Sequence, residues 1–286
     1  MTRLVALALF VAAIASAQTP RRIVSASPSI TEMLYSLGLG DRVVGVTEYC
    51  HFPPEVRDKA KIGSYLNPSM ETIVALQPDL AVVLEEHGAL IDQLKRVNVP
   101  VLAVQHNDVA GIYASLQGIA VRTGVESAAA KRISEIKSGL AAVKAKAAGL
   151  PSRKTIFVIG RTPNTVRDLI CVGRGSFLNE LILIAGGRNV FANTVAFYPR
   201  ISREELLAGG AEVVMDMGDM SNTDGVTEQH RLSVVGLWRD AFPDMPAVRE
   251  GRAYAVADDR FVVPGPRIAE AAQLFLEMIH PEAAKP

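Results

Sequence analysis

Residues 126–148 read ESAAAKRISEIKSGLAAVKAKAA and form the second of two consecutive helices predicted over residues 108–149. The quoted stretch consists mainly of strong helix formers, with one glycine and no proline. A single helix over it would be about 35 Å long at 1.5 Å per residue. That length suits a helix that bridges two domains, and an ordinary long surface helix is the open alternative.

Short apolar runs typical of buried strands alternate with helical stretches on both sides of this helix. Before it, the predicted strands are residues 22–25, 43–46, 79–84 and 99–104, and the predicted helices are residues 28–37 and 67–76. After it, the predicted strands are residues 155–160, 212–215 and 253–256, and the predicted helices are residues 176–185, 202–208 and 267–279. Such alternation predicts an α/β fold in which helices cover parallel sheets. We expect an N-terminal lobe over residues 18–124, a connecting helix over 125–150 and a C-terminal lobe over 151–286.

One segment of the first lobe recurs in the second. Residues 71–82, ETIVALQPDLAV, align without gaps on residues 204–215, EELLAGGAEVVM, at an offset of 133. Each segment reads as a helix start, an apolar helix face, a break and a buried strand. Glu71 and Glu204 thus share a first-turn position, where a carboxylate favours the positive end of the helix dipole. From these residues alone, helix capping is the simplest role for both glutamates.

The N-terminus has the pattern of an export leader. Arg3 precedes an apolar run over residues 4–14, which ends in Ala15-Ser-Ala17, the small-x-small pattern of a cleavage site. We expect a signal peptide over residues 1–17, since the apolar run is far shorter than the roughly 20 residues that span a bilayer. No cysteine lies next to the expected cut, so a lipid anchor is not predicted and the periplasm of a Gram-negative cell is favoured.

Composition excludes several classes of partner. The 286 residues include 30 basic and 30 acidic side chains. Arg3 is the one charged residue of the expected leader, so the mature chain has 29 basic residues against 30 acidic ones. This balance does not predict binding to nucleic acid or to a membrane surface.

Familiar catalytic motifs are missing from the chain. It has no Gly-x-Ser-x-Gly elbow, no His-Glu-x-x-His helix and no Walker loop. Two loops concentrate possible metal ligands, residues 48–51 with a glutamate, a cysteine and a histidine, and residues 85–87 with two glutamates and a histidine. The five histidines are not paired at ligand spacing, so we expect solvated loop residues, no metal site and no resident cofactor.

Aromatic residues mark the candidate binding site. They lie in loops that follow predicted strands, at Tyr49, Phe52, Tyr65, Phe197, Tyr198 and Phe261. In open parallel sheets such loops bound the ligand crevice. Several rings facing one cleft predict a large planar ligand, because aromatic side chains bury much area and stack well. The alternative is that about half of these rings cap the lobe cores.

The two cysteines, Cys50 and Cys171, fall in different predicted lobes. In an exported chain a disulfide between them is one expectation, and it would pin the lobes together across the cleft. Free thiols near the ligand are the equal alternative.

Longer motifs resemble a known family. In the first half they are RIVSASPSITE at residues 22–32, YCHFPPE at 49–55, GSYLNPSME at 63–71 and ALQPDL at 75–80. In the second half they are GRGSFLNE at residues 173–180, AGGRNVF at 185–191 and YPRISREE at 198–205. Together they resemble the periplasmic family that binds cobalamin and iron siderophores, over about residues 22–278. The cobalamin branch is the more similar one.

This resemblance implies two Rossmann-like lobes, joined by a single long backbone helix that keeps closure small. It implies a monomeric, non-enzymatic protein that captures a cobalamin-like corrinoid and delivers it to an ABC permease and its ATPase. In the family, a glutamate on each lobe pairs with arginines of the permease, and Glu71 and Glu204 match those positions. The resemblance therefore replaces the capping role of these two glutamates by docking.

The resemblance also implies site residues. Tyr49, Tyr65 and Tyr198 match aromatic positions that contact the corrin ring, and Cys50 and His51 adjoin the first of them. The weaker candidates by position are Phe197, Asp259, Arg260 and Phe261. This sequence departs from the pattern where His51 replaces a common aspartate, and where Tyr65 and Tyr198 replace tryptophans.

Two rival functions remain at the level of sequence. A ferric siderophore or haem could bind the same fold, with an anionic complex held by Arg161, Arg174, Arg200 and Arg260. An exported hydrolase could use Cys50 with His51. No oxyanion signature accompanies that pair, and adjacent residues in an extended loop rarely point at one another.

Overall fold

The computed structural model describes residues 19–218 and 225–283. The expected signal peptide over residues 1–17 lies outside the described residues. Among the described helices, none has the length and apolarity that crossing a membrane requires.

The N-terminal lobe is built on a parallel five-stranded sheet of order β3-β2-β1-β4-β5. Its strands are β1 (Ile23–Ser25), β2 (Val43–Val46), β3 (Ala60–Lys61), β4 (Leu80–Leu84) and β5 (Val101–Val104). Its helices are α1 (Pro28–Ser36), α2 (Met70–Ala75), α3 (Gly88–Arg96) and α4 (Val109–Thr123). Strand β4 is buried over its whole length, as expected of an interior strand covered on both faces.

Side-chain caps set the start of the first two helices. Ser27 accepts a hydrogen bond from the Ile30 N–H and Pro28 occupies the first turn of α1, as the sequence predicts. The predicted start of the next helix, at residues 67–68, is wrong. The Ser69 hydroxyl accepts from the Thr72 N–H and begins α2 there, because residues 63 and 68 are bridged in the preceding turn.

The long helix predicted at the middle of the chain is confirmed as α5 (Glu126–Ala147). It packs against α4 of the N-terminal lobe and against α10 (Ile268–Ile279) at the end of the chain, and so connects the two lobes. Gly139 permits the close approach to α10, because a Cβ at this position would lie 2.8 Å from the Ala269 Cβ.

The C-terminal lobe has a mixed six-stranded sheet. Its strands are β6 (Arg153–Gly160), β7 (Leu169–Cys171), β8 (Gly187–Asn189), β9 (Arg200–Ile201), β10 (Val213–Asp216) and β11 (Ala253–Ala255). Its remaining helices are α6 (Phe177–Ile184), α7 (Arg203–Gly209), α8 (Glu228–Ala241) and α9 (Pro246–Arg249). Strand β6 pairs with β10 on one side, and on the other with β8 in parallel and then with β7 in antiparallel.

The sequence echo is a structural repeat. The N-cap serines of α2 and α7, Ser69 and Ser202, stand 133 positions apart, like the echo itself. Each helix leads into the strand next to the central one of its sheet, β4 beside β1 or β10 beside β6. Ile23 pairs with Leu80 and Thr155 pairs with Val213, so the neighbouring strands keep nearly the same offset. The strands β1-β4-β5 are therefore repeated as β6-β10-β11.

Candidate ligand-binding cleft

A cavity of about 780 Å³ lies between the lobes and opens to solvent. This size falls within the range of small-molecule binding sites. On the N-terminal side, the loops that form it follow the carboxyl ends of the strands, where open α/β sheets place their ligands.

Every strand of the N-terminal sheet contributes to one side of the cavity, which we call the polar wall. The residue groups that follow β1 to β5 in turn are Ser27–Ser29, Tyr49, Ser64–Leu66, Glu86, and His106 with Asn107. Hydroxyl, carboxylate, imidazole and amide groups therefore dominate this side.

The C-terminal lobe forms the opposite side, which we call the apolar wall. Its members are Ile159, Ser176, Phe177, Leu178, Phe197, Tyr198, Phe261, Val262, Val263 and Pro264. Phe197 and Tyr198 precede the short strand β9, whose antiparallel pairing with β7 fixes their loop beside the cavity. The cleft thus presents a polar face and an apolar face to its occupant.

The titratable side chains of the cleft are mostly neutral. The Tyr65 hydroxyl donates a hydrogen bond to the Glu86 carboxylate, and burial together with this bond raises the pKa of Tyr65 well above its usual value. Burial, with a smaller effect of Glu86, raises the pKa of Tyr198 to about 12. Burial lowers the pKa of His106 to about 4, so its imidazole is uncharged at neutral pH.

No lysine or arginine is among the residues that line the cavity in the described part of the chain. Of the four arginines predicted for an anionic ligand, Arg161 is buried and paired with Asp216 at 2.8 Å. Arg260 forms ion pairs with Asp258 and Glu270. The other two, Arg174 and Arg200, are exposed and lie off the cavity wall.

The structure brings five predicted aromatic residues together around the cavity, namely Tyr49, Tyr65, Phe197, Tyr198 and Phe261. Phe261 is only 2% exposed and packs against Phe157 and Phe275, so it also belongs to the lobe core. Phe52 lies off the cavity wall, with its ring under the Arg267 guanidinium at 4.1 Å.

Four predicted site residues lie outside the cavity wall. Cys50 is buried, with its Sγ 3.2 Å from the Thr31 hydroxyl and 3.1 Å from the Thr47 hydroxyl. His51 is exposed. Asp259 and Arg260 are engaged by Arg267 and Asp258. Local partners hold Cys50, Asp259 and Arg260, and none of the four lies on the cavity wall.

The two cysteines are free thiols. Cys50 is buried in the core that contains α1, whereas Cys171 belongs to a separate core of the C-terminal lobe. Separate burial explains why no disulfide joins them, and neither thiol lines the cavity. The structure therefore contradicts the disulfide and has the two free thiols of the alternative, neither of them on the cavity wall.

Sequence reasoning missed the main polar members of the wall. Glu86 stood in a loop noted for possible metal ligands, and His106 was one of five scattered histidines. Ser29 was passed over as the second residue of a predicted helix. Ser29, Glu86 and His106 each lie within four residues of the end of a strand, and this position could have identified them as residues of the cleft. Within the described chain, no three metal-ligating side chains are close enough to hold an ion.

Polar contacts tie the lobes together beside the cleft. The Phe177 N–H donates to the Asn107 carbonyl oxygen at 2.7 Å, and the Val109 N–H donates to Glu180 Oε1 at 3.1 Å.

A buried group of charges, which we call the clasp, adds to these ties. Arg267 Nε donates to Glu32 Oε2 of α1 at 2.9 Å, and Arg267 Nη1 donates to Asp259 Oδ1 at 2.9 Å. The clasp joins the first helix of one lobe to the segment before the last helix of the chain.

The chain is similar in sequence and fold to known proteins. The model of the periplasmic binding protein family matches residues 23–259. The chain belongs to the periplasmic binding protein family. This is a family of transport proteins, and the resemblance seen in the motifs is confirmed at that level.

Two relatives cover nearly all of this family member. A vitamin B12-binding protein of Vibrio parahaemolyticus is 27% identical over 268 residues, covering 93% of this chain and 92% of the relative. An ABC transporter substrate-binding lipoprotein of Bacillus subtilis is 30% identical over 274 residues, covering 93% of this chain and 82% of the relative.

Solved structures show the same two-lobed fold. The vitamin B12-binding protein BtuF of Vibrio cholerae superposes with a TM-score of 0.76 at 21% identity, covering 94% of this chain and 99% of that one. A periplasmic haem-binding protein of Pseudomonas aeruginosa gives a TM-score of 0.78 at 23% identity, covering 92% and 93%. At these identities the likeness establishes the fold alone.

Proposed function

We propose that this protein captures a cobalamin-like corrinoid in the cleft and hands it to the permease of an ABC importer. The observation that carries the proposal is a cleft with a polar wall, an apolar wall that bears aromatic rings, and no basic side chain among its described lining residues. The vitamin B12-binding relative supports the same ligand class.

The charge of the cleft favours a corrinoid over the rival ligands. Ferric siderophore complexes are commonly anionic and haem carries two propionates, so either would be desolvated here without a cationic partner. Glu86 would add repulsion to that cost. The side-chain amides of a corrinoid can donate to Glu86 and to the serine hydroxyls, while its ring system packs on Phe197 and Tyr198.

The setting proposed for this function is the periplasm, with a monomeric protein that catalyses no reaction of its ligand. The leader pattern over residues 1–17 and the family supply the support for that location.

Docking of the permease is proposed at Glu71 and Glu204. Both are exposed in the first turn of the equivalent helices α2 and α7. Neither is needed as a cap, because serine hydroxyls cap both helices and Glu205 completes the capping box of α7. Arginines of a permease could pair with these two carboxylates, one on each lobe, which form no ion pair within the described part of the chain.

Equilibrium dialysis against cyanocobalamin tests the ligand. We expect one molecule bound per chain, with an affinity that changes little between low and high salt, because no charge pair anchors it. A ferric siderophore at matched concentration should stay unbound. Retention of the siderophore, or of haem, in place of cyanocobalamin would overturn the proposal.

Charge reversal tests the docking surface. Glu71→Lys with Glu204→Lys should abolish uptake of labelled cyanocobalamin while leaving equilibrium binding intact. The matched control is Asp92→Lys with Glu126→Lys, which alters net charge equally at two other exposed acids. Uptake that survives the first pair, or is lost equally with the control pair, would contradict the docking role.

A further inference from the structure

His106 stands on the polar wall with one ring nitrogen held and the other free. Its Nδ1 lies 2.7 Å from the Ser29 hydroxyl, which in turn lies 2.9 Å from the Ser27 hydroxyl. Its Nε2 has no hydrogen-bond partner in the described chain and is not among the enclosed polar atoms. Because His106 lines the cavity, Nε2 is the nitrogen that a bound molecule can reach.

The imidazole is also in the protonation state that binds a metal. Burial lowers the pKa of His106 to about 4, so a nitrogen lone pair is free at neutral pH. The other donors on the walls are less available. The Glu86 carboxylate is engaged by the Tyr65 hydroxyl, and burial raises the pKa of the Tyr198 phenol to about 12.

We infer that His106 coordinates the cobalt of the bound corrinoid through Nε2, taking the axial position of a labile water. This inference rests on the proposed function, since it needs a corrinoid in the cleft. The new bond is Nε2–Co(III), the broken bond is Co–OH₂, and the water leaves with both of its protons. Cobalt keeps its oxidation state, and no other reactant is needed.

Ser29 is a positioning residue in this arrangement. For Nε2 to offer its lone pair, the imidazole proton must sit on Nδ1 and be donated to the Ser29 oxygen. That oxygen has two lone pairs, so it can accept from Nδ1 and from Ser27 together. A metal-bound histidine ordinarily donates its second nitrogen in this way, which fixes the ring orientation.

Coordination would make the axial ligand of the cobalt a determinant of specificity. The face that carries an exchangeable water would meet the polar wall, and the opposite face would meet Phe197 and Tyr198. Corrinoids with labile water should bind more tightly than those whose axial cyanide cannot be replaced.

Absorbance titration of aquocobalamin tests the inference. On wild-type protein the corrin bands should shift to those of an imidazole complex, and aquocobalamin should be preferred over cyanocobalamin by about tenfold or more. His106→Gln should lose both the spectral shift and the preference. Ser29→Ala should keep a weakened shift. The control, His51→Gln, alters an exposed histidine of the same lobe and should behave as wild type.

Cyanocobalamin separates failure of the inference from failure of the proposed function. Wild-type protein that binds both corrinoids without a shift overturns cobalt coordination alone, whatever the folding of the variants. A shift that persists in His106→Gln also overturns it. Protein that binds neither corrinoid overturns the proposed function, and the coordination with it.

Discussion

The two lobes share a strand core but differ in the wall each gives to the cleft. In the N-terminal lobe all five strands run parallel, and a polar group follows each of them. The C-terminal lobe repeats β1-β4-β5 as β6-β10-β11, then adds the antiparallel strands β7 and β9. That addition positions Phe197 and Tyr198. The repeated part thus builds the frame, and the divergent part makes one side of the cleft apolar.

Removing Arg267 should cause the largest change in free energy, because the substitution breaks the clasp that joins the two lobes. Arg267→Met leaves Glu32 buried without its cation, which we expect to lower the free energy of unfolding by about 3–5 kcal/mol. The control is Arg231→Met, which removes an exposed pair with Glu228 and should leave the urea midpoint unchanged. Equal midpoints for the two variants would show that the clasp is not a structural tie.

Truncating the apolar wall should have the next largest effect. Phe197→Ala with Tyr198→Ala removes two stacking surfaces, so cyanocobalamin affinity should fall by about 3 kcal/mol, or roughly 150-fold. Val195→Ala, at a 98% exposed position of the same loop, is the matched control and should bind like wild type. Calorimetric titration of both variants measures the difference. A loss below threefold in the double variant would refute the stacking role.

Lowering the pH should destabilise the protein through His106, the buried histidine of the polar wall. The folded-state pKa of His106 is about 4 against a usual value near 6.5, so the unfolded chain binds the extra proton first as pH falls. Wild-type protein should therefore lose about 2 kcal/mol from this residue between pH 7 and pH 5. His106→Gln should lack this loss in urea unfolding, whereas His51→Gln should retain it. The same pH dependence in all three proteins would contradict burial of a neutral imidazole.

Neutralising the acid of the polar wall should have the smallest effect. Glu86→Gln keeps the shape of the side chain but weakens its acceptance from Tyr65 and from ligand amides, costing about 1 kcal/mol or roughly fivefold in affinity. Glu85→Gln alters the exposed neighbour that lies off the cavity and should bind normally. Equal losses in the two variants would argue for a general charge effect instead of a contact.

Much of the frame could be predicted because local chemistry determines it. Ser27 followed by Pro28 predicts the start of α1. The serine cap of α7, which matches the serine cap of α2, supports the repeat of the two lobes. Helix α3 escaped prediction because it begins at Gly88 without a side-chain cap. The short strands β7, β8 and β9 escaped it because two or three residues leave no periodic pattern, and only their partners define them.

The cleft was predictable in its aromatic members and not in its polar ones. Loops after strands identified Tyr49, yet its neighbour Cys50 turns into the core toward two threonine hydroxyls. Adjacent loop residues point in different directions, which sequence spacing does not record. Asp259 lies off the cavity wall for another reason. Its carboxylate accepts a hydrogen bond from Arg267, which lies beyond the turn.

A structure of the protein bound to cyanocobalamin tests the central claim most directly. We predict the corrin ring between the two walls, with Phe197 and Tyr198 packed on the ring system and Glu86 accepting from corrin amides. The lobes should move little, because the clasp and the Phe177–Asn107 hydrogen bond tie them. A corrinoid bound elsewhere, or an empty cleft at saturating ligand, would contradict the account.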